Sequence, residues 1–230
     1  DAPDGIILVT GPTGSGKTTT LYSALAHLND GTMNIVTIED PIEAEFEGIE
    51  QSQVSEEIGY TFEKALRAFL RHDPDIILVG ELRDWETSEV ALKAAQTGHQ
   101  VFGTLHTNDA PSTVTRLTQM GAEAFLVAEA VRCVVAQRLV RRICSNCTEI
   151  ITGTEADDFL QAIVDLGMPI EATLGATFRR GRGCKQCTNS GLRGRIAVHE
   201  ILTMSDSLQE CVAEGARAAE IRRLAISEGM

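Results

Sequence analysis

Apolar residues fall along this chain in two rhythms. Short, dense runs rich in β-branched residues alternate with longer stretches whose apolar positions recur every three or four residues. The runs "GIILVT" (5–10), "MNIVTI" (33–38), "DIILVG" (75–80) and "QVFGTL" (100–105) have the length and composition of buried strands. Between them, "KTTTLYSALAHLN" (17–29) reads as a helix. "FEKALRAFLRH" (62–72) is amphipathic, with Phe62, Ala65, Leu66 and Phe69 on one face and Pro74 beyond its end. "WETSEVALKAAQTG" (85–98) is a third helix with Thr87 expected as its N-cap. "APSTVTRLTQMG" (110–121) and "AFLVAEAVRCVVAQRLVRR" (124–142) read as two more. Strands alternating with helices imply an α/β domain with a parallel sheet covered on both faces.

The rhythm breaks at Cys144. From there to Arg195 the chain is rich in glycine and arginine, with one helix expected over 155–167. A strand over 194–202 and two helices over 206–215 and 217–229 close the sequence. This predicts a core over residues 1–143, a small subdomain over 144–195, and a C-terminal segment, 196–230, packed on the core.

Composition adds little to that picture and charge adds more. The 230 residues are 43% hydrophobic, enough to bury a core, and no apolar run approaches the roughly 20 residues of a membrane-spanning helix. The formal net charge of -13 argues against direct nucleic-acid binding, which favours a basic face. Local basic clusters, "QRLVRRIC" and "FRRGRGCK", fit either solvated surface or an interface with an acidic partner.

Candidate chemistry gathers at strand ends. "GPTGSGKT" (11–18) fits GxxxxGK[ST] and stands between a strand and a helix, the context in which backbone N–H groups cradle phosphates. Gly11, Thr13, Gly14, Ser15, Gly16, Lys17, Thr18 and Thr19 are the candidate nucleotide-binding residues. Lys17 is expected at the β/γ-phosphates and Thr18 at Mg²⁺. After "IILV", Gly80 stands where an aspartate is usual, so Glu81 is the candidate for the Mg²⁺ side; a plain surface glutamate is the alternative. In "TIEDPIE" the acids are Glu39, Asp40 and Glu43, and Glu39 is the candidate to orient or deprotonate the attacking water. His106, after "GTL", is either a γ-phosphate contact or a structural histidine.

Six cysteines are present, four of them in the pairs "CSNC" and "CKQC". Cys144, Cys147, Cys184 and Cys187 offer four soft ligands, which suits a structural tetrahedral Zn²⁺; free thiols or a redox pair are the alternatives. Cys133 and Cys211 fall in stretches read as helical and suit small core residues.

Together these motifs resemble the ATPases of type II secretion and type IV pilus assembly, the GspE/PilB group. The likeness covers essentially the whole chain. It rests on "GPTGSGKTTT", on "TIEDPIE" as an Asp box, on "GELRDWETSEVALKAAQTGHQVFGTLHTNDAP" as Walker B and His boxes, and on "AQRLVRRICSNC" leading to the cysteine pairs. The resemblance implies a RecA-like P-loop fold, ATP as nucleotide, and catalytic roles for Glu39, Glu81 and His106. It further implies a homo-hexamer of the full-length protein at the cytoplasmic face of the inner membrane, working with an inner-membrane platform protein. Retraction ATPases of the group generally lack the cysteine pairs, so assembly is implied over retraction. The resemblance also implies a preceding domain whose arginines complete the ATP site, and hence weak hydrolysis by residues 1–230 alone. The arginines within the chain, Arg83 among them, are expected to stand elsewhere. A DNA-uptake or conjugation ATPase, or a nucleotide-sensing module without turnover, are the competing readings.

Overall fold

Alternation of side chains along each strand divides the apolar core in two. In the computed structural model, which describes residues 4–166, 168, 173 and 175–230, β1 (Gly5–Thr10) sends Ile6 and Leu8 into one buried cluster and Val9 into another. β2 (Ile35–Glu39) divides Val36 and Ile38 from Ile35 in the same way. β3 (Glu50–Gln53) is polar and adds nothing to either cluster. β4 (Ile76–Val79) divides Ile77 and Val79 from Ile76 and Leu78, and β5 (Gln100–Leu105) divides Val101 and Leu105 from Phe102. A strand buried on both faces is apolar at most positions on either face, which is why these runs lack a polar alternation.

The two clusters face different helices. α1 (Lys17–Leu28) packs Leu21 and Leu25 into the second cluster. α2 (Phe62–Phe69), α3 (Trp85–Gln96), α4 (Ala110–Met120) and α5 (Ala124–Ala130) pack into the first. The expected sheet covered on both faces is therefore present. Its strand order, completed by β6 (Val131–Ile143) and, after β7 (Thr148–Ile150) and β8 (Arg179–Gly181), by β9 (Leu192–Thr203), is β3-β2-β4-β5-β1-β6-β9. The pairings β3/β2, β2/β4, β4/β5, β5/β1 and β1/β6 are all parallel, so the C-terminal ends of these strands share one edge. Ligands of open α/β sheets bind at that edge.

Residues 124–142 are not one helix. The helix stops at Ala130, and β6 begins at Val131 and pairs with β1. Valines stiff at χ1 favour the strand once alanines give out. The strand was masked because its register slips between Ile6 and Ile7: Ile6 faces Val131, but Ile7 faces Cys133. This irregularity breaks the two-residue alternation, so the buried positions Val131 and Val134 fall three apart, as on a helix. Cys133 accordingly lies in a strand, whereas Cys211 lies in α7 (Asp206–Ala213), which follows α6 (Thr154–Asp165) and precedes α8 (Ala218–Ser227). α2 ends at Phe69, short of the expected His72. Gly167, the expected end of the 155–167 helix, lies outside the described residues.

Two compact units result, Asp1–Arg138 with Ala197–Met230, and Leu139–Ile196. The second unit holds the antiparallel pair β7/β8 and helix α6. Phe159 stacks on Phe178 at 5.9 Å, and the four paired cysteines form a buried cluster of their own. Of the arginines in "FRRGRGCK", Arg180 pairs with Glu149 and Glu155 at 2.7 Å, and Arg182 with Glu149 at 3.0 Å. Those charges are answered within the unit.

The N-cap of α3 is Asp84, not Thr87. Asp84 has the extended backbone a cap needs, and its Oδ1 accepts from the Thr87 N–H at 2.8 Å, which leaves Thr87 buried inside the first turn. Asp84→Ala should therefore lower stability by about 1 kcal/mol, and Asp84→Ser should recover most of it. Urea midpoints of the three proteins check this.

Candidate functional site

Beyond Thr10 the chain leaves β1 and turns through residues 11–16 into α1. Gly11 has φ 142°, and a Cβ placed there would lie 2.3 Å from the Gln137 carbonyl oxygen and 2.8 Å from Ser15 Oγ. Only glycine fits, because strand β6 presses its backbone against the loop. Gln137, itself buried, donates from Nε2 to the Ser15 carbonyl at 2.7 Å and accepts from Thr20 Oγ1 at 2.7 Å. β6 thus fixes both the start of the loop and the first turn of the helix behind it.

The loop is left rich in unanswered donors. No side chain caps the N-terminus of α1, and its first turn carries no acid. Ser15 Oγ is buried without a hydrogen-bond partner. Lys17 folds back, donating from Nζ to the carbonyls of Gly11 at 2.9 Å and Pro12 at 3.4 Å. Burial holds its pKa below the usual lysine value, and Glu81 partly opposes that shift. Thr13, Gly14 and Thr19 lie exposed around the loop, and Thr18 Oγ1 donates weakly to Glu43 Oε1 at 3.4 Å. A helix N-terminus, an orphan hydroxyl and a lysine bound only to carbonyls form a site built for a phosphate chain.

Glu81 follows β4, and its two carboxylate oxygens take different partners. Oε2 pairs with Arg83 Nε at 2.5 Å, and Oε1 lies 3.1 Å from His106 Nε2. Arg83 reaches on to Asp40 Oδ2 at 3.1 Å, and its guanidinium lies 5.6 Å from the centre of the Phe62 ring. Glu81 first, then Asp40, raises the arginine's pKa further. The tips of β2, β4 and β5 are therefore joined by one chain of charges. Arg83, beyond the end of β4 as the sequence places it, is bound to two acids at the sheet edge, Glu81 and Asp40. Gly80 has its own reason to lack a side chain, since a Cβ there would meet the Glu39 Cα and the Ile38 carbonyl oxygen at 3.2 Å. An aspartate cannot occupy that point without moving β2.

Glu39 is held inside the sheet edge, with only 4% of its surface exposed. The Tyr22 hydroxyl donates to Oε2. Oε1 accepts from Thr37 Oγ1 at 2.7 Å and from Gln51 Nε2 at 3.2 Å. Three donors from α1, β2 and β3 thus satisfy a buried carboxylate.

Cys144, Cys147, Cys184 and Cys187 come together in the second unit, their Sγ atoms all within 4.8 Å of one another. Separations of 3.9 Å (Cys144–Cys184), 3.8 Å (Cys147–Cys187) and 3.7 Å (Cys184–Cys187) far exceed a disulfide bond. They match the roughly 3.8 Å between sulfurs of a tetrahedral site with Zn–S of about 2.3 Å. The donor set and spacing fit zinc. The Asn146 amide lowers the Cys184 pKa, whereas burial raises that of Cys147.

Comparison with known proteins decides the family. A family model described as "Type II/IV secretion system protein" matches residues 1–229. The chain belongs to this family. It is 51% identical over 230 residues to the type IV pilus assembly ATPase PilB of Myxococcus xanthus, covering all of this chain and 40% of that protein. It is 46% identical over 227 residues to the type II secretion system protein E of Pseudomonas aeruginosa, covering 99% of this chain and 44% of the relative. A solved structure, the pilus retraction motor PilT with bound ADP, superposes with TM-score 0.67 at 32% identity, covering 96% of this chain and 52% of that one. The chain therefore spans less than half the length of those two relatives.

For this member of the secretion family, the structure brings Glu81 and His106 into contact and sets Glu39 apart in its own pocket. Reading the sequence missed Gln137, which lay in a supposed helix, and Gln51, which lies in a strand with no apolar signature. It also missed Tyr22, hidden among the core-facing residues of α1, and the pairing of Arg83 with Glu81 and Asp40.

Two outcomes follow from this geometry. Lys17→Ala should weaken Mg–ATP binding at least about tenfold with the fold intact, since it removes a charged donor to phosphate; titration calorimetry and circular dichroism measure both. Freshly purified, reduced protein should carry one zinc per chain by elemental analysis, and Cys147→Ser should lose it together with the stability of the second unit.

Proposed function

We propose that this chain is the ATP-hydrolysing core of a motor that assembles a type IV pilus or the pseudopilus of type II secretion. The observation that carries the reading is the phosphate loop, with its orphan Ser15 hydroxyl and uncapped helix, on the same sheet edge as the Glu81–His106–Arg83 cluster. Gly11 through Thr19 bind the ATP phosphates, and Lys17 leaves its loop carbonyls for the β/γ-phosphates. Thr18 and Glu81 supply the hard oxygen donors that suit Mg²⁺, which, when bound, offsets phosphate charge. Glu39 orients and accepts a proton from the attacking water. His106 bridges Glu81 and the γ-phosphate, so its contacts change when that phosphate leaves. Zinc on the four cysteines is structural, because all four ligand positions are filled by protein thiolates. That cysteine set favours assembly over retraction.

In this reading the full-length protein is a homo-hexamer at the cytoplasmic face of the inner membrane, engaging a platform protein there. No described helix is long and apolar enough to cross a membrane. Arginines from outside the chain complete the transition-state charge, and residues 1–230 alone turn over slowly.

Phosphate release by the full-length protein tests the reading. Glu81→Gln should keep ATP binding yet lower turnover about 10²–10⁴-fold. Wild-type turnover in that variant would sink the assignment.

A further inference from the structure

The loop that follows Glu39 is tied down from both sides. On one side, the Ile42 N–H donates to Gln53 Oε1 at 3.2 Å, and the Phe46 N–H to Gln51 Oε1 at 2.8 Å. Gln51 Nε2 in turn donates to the Ala44 carbonyl at 2.9 Å as well as to Glu39. On the other side stands Tyr22. Its hydroxyl accepts from the Glu43 N–H at 3.2 Å while donating to Glu39, and its ring meets Phe46 edge-on at 4.9 Å. Glu43, held by that bond, also accepts from Thr18 Oγ1. A continuous line therefore runs from the threonine of the phosphate loop through Glu43 and Tyr22 to the buried carboxylate of Glu39. An open cleft of about 400 Å³ lies beside this line, bounded by Thr18, Tyr22, Ser23, Glu43 and Phe46.

We propose that Tyr22 is a positioning residue for ATP hydrolysis, holding Glu39 with its hydroxyl and transmitting to it, through Glu43, whether Thr18 is engaged. This rests on the reading of Glu39 as the residue that handles the water. With no cation on Thr18, its hydroxyl donates to Glu43 and the loop stays stitched to Tyr22. A cation on Thr18 would take that donor from Glu43, and the change would reach Glu39 through Tyr22. The hydroxyl stays a donor throughout, because burial and then the bond to Glu39 push the Tyr22 pKa up to about 12. A carboxylate held by three donors keeps one direction, and a group that must orient water loses rate when one of those donors is lost.

Tyr22→Phe removes only the hydroxyl and keeps the ring on Phe46. In the full-length protein it should lower kcat about tenfold or more while KM and Mg–ATP affinity stay within about twofold, the pattern of an interaction used in the chemical step. In single-turnover reactions, adding Tyr22→Phe to Glu39→Gln should change the residual rate by less than about twofold, because a group that acts through Glu39 has nothing left to act on. Losses that multiply, or a wild-type kcat in Tyr22→Phe, overturn the proposal while leaving Glu39's own role standing. Wild-type turnover in Glu39→Gln overturns that role, and the positioning inference with it. Should Tyr22→Phe not fold, Thr37→Val removes another donor to the same carboxylate and answers by the same two readouts.

Discussion

The carbonyl oxygen of Gln137 occupies the space that any side chain at residue 11 would need, and much of the site depends on that contact. It brings β6 against the mouth of the phosphate loop, where the Gln137 side chain holds the Ser15 carbonyl and Thr20. The loop's shape is therefore set by a neighbouring strand rather than by its own residues alone. This rigidity has a chemical use. Backbone N–H groups that point at an empty concavity are costly to orient, and a fold that orients them beforehand spares the ligand that cost.

A second constraint is electrostatic. Glu81, Arg83, Asp40 and His106 lie in one chain of contacts across three strand ends. In such a chain an incoming phosphate or cation must exchange partners with groups already in contact. These side chains are partly exposed, so the pairs are screened and exchange is cheap. Glu39 is the opposite case: buried and held by three donors. One acid of the site is thus poised for exchange and the other for retention.

How much of this was legible in the sequence depended on whether a residue's role shows in its own neighbourhood of the chain. The strands β1, β2, β4 and β5 are legible because burial on both faces leaves no alternation of apolar and polar positions. The phosphate loop is legible because its glycines, lysine and threonine are chemically required in a fixed order. The cysteine pairs are legible for the same reason. β6 was not, because a slipped register against β1 turned a two-residue rhythm into an apparent three-residue one. β3 was not, because a polar edge strand buries nothing that would mark it. Gln137, Gln51 and Tyr22 act through partners 12 to 122 residues away, and no local pattern announces such contacts. Gly80 is the instructive intermediate. The sequence displays the missing aspartate, but only the closeness of Glu39 explains it.

β3 also has a meaning outside the site. A parallel sheet that ended at β2, buried throughout, would present a row of bare backbone donors and acceptors flanked by isoleucine and valine, ready to recruit another chain. The four residues Glu50–Gln53 end it instead with a strand too short and too polar to serve as a template. This strand keeps the sheet itself from seeding a filament.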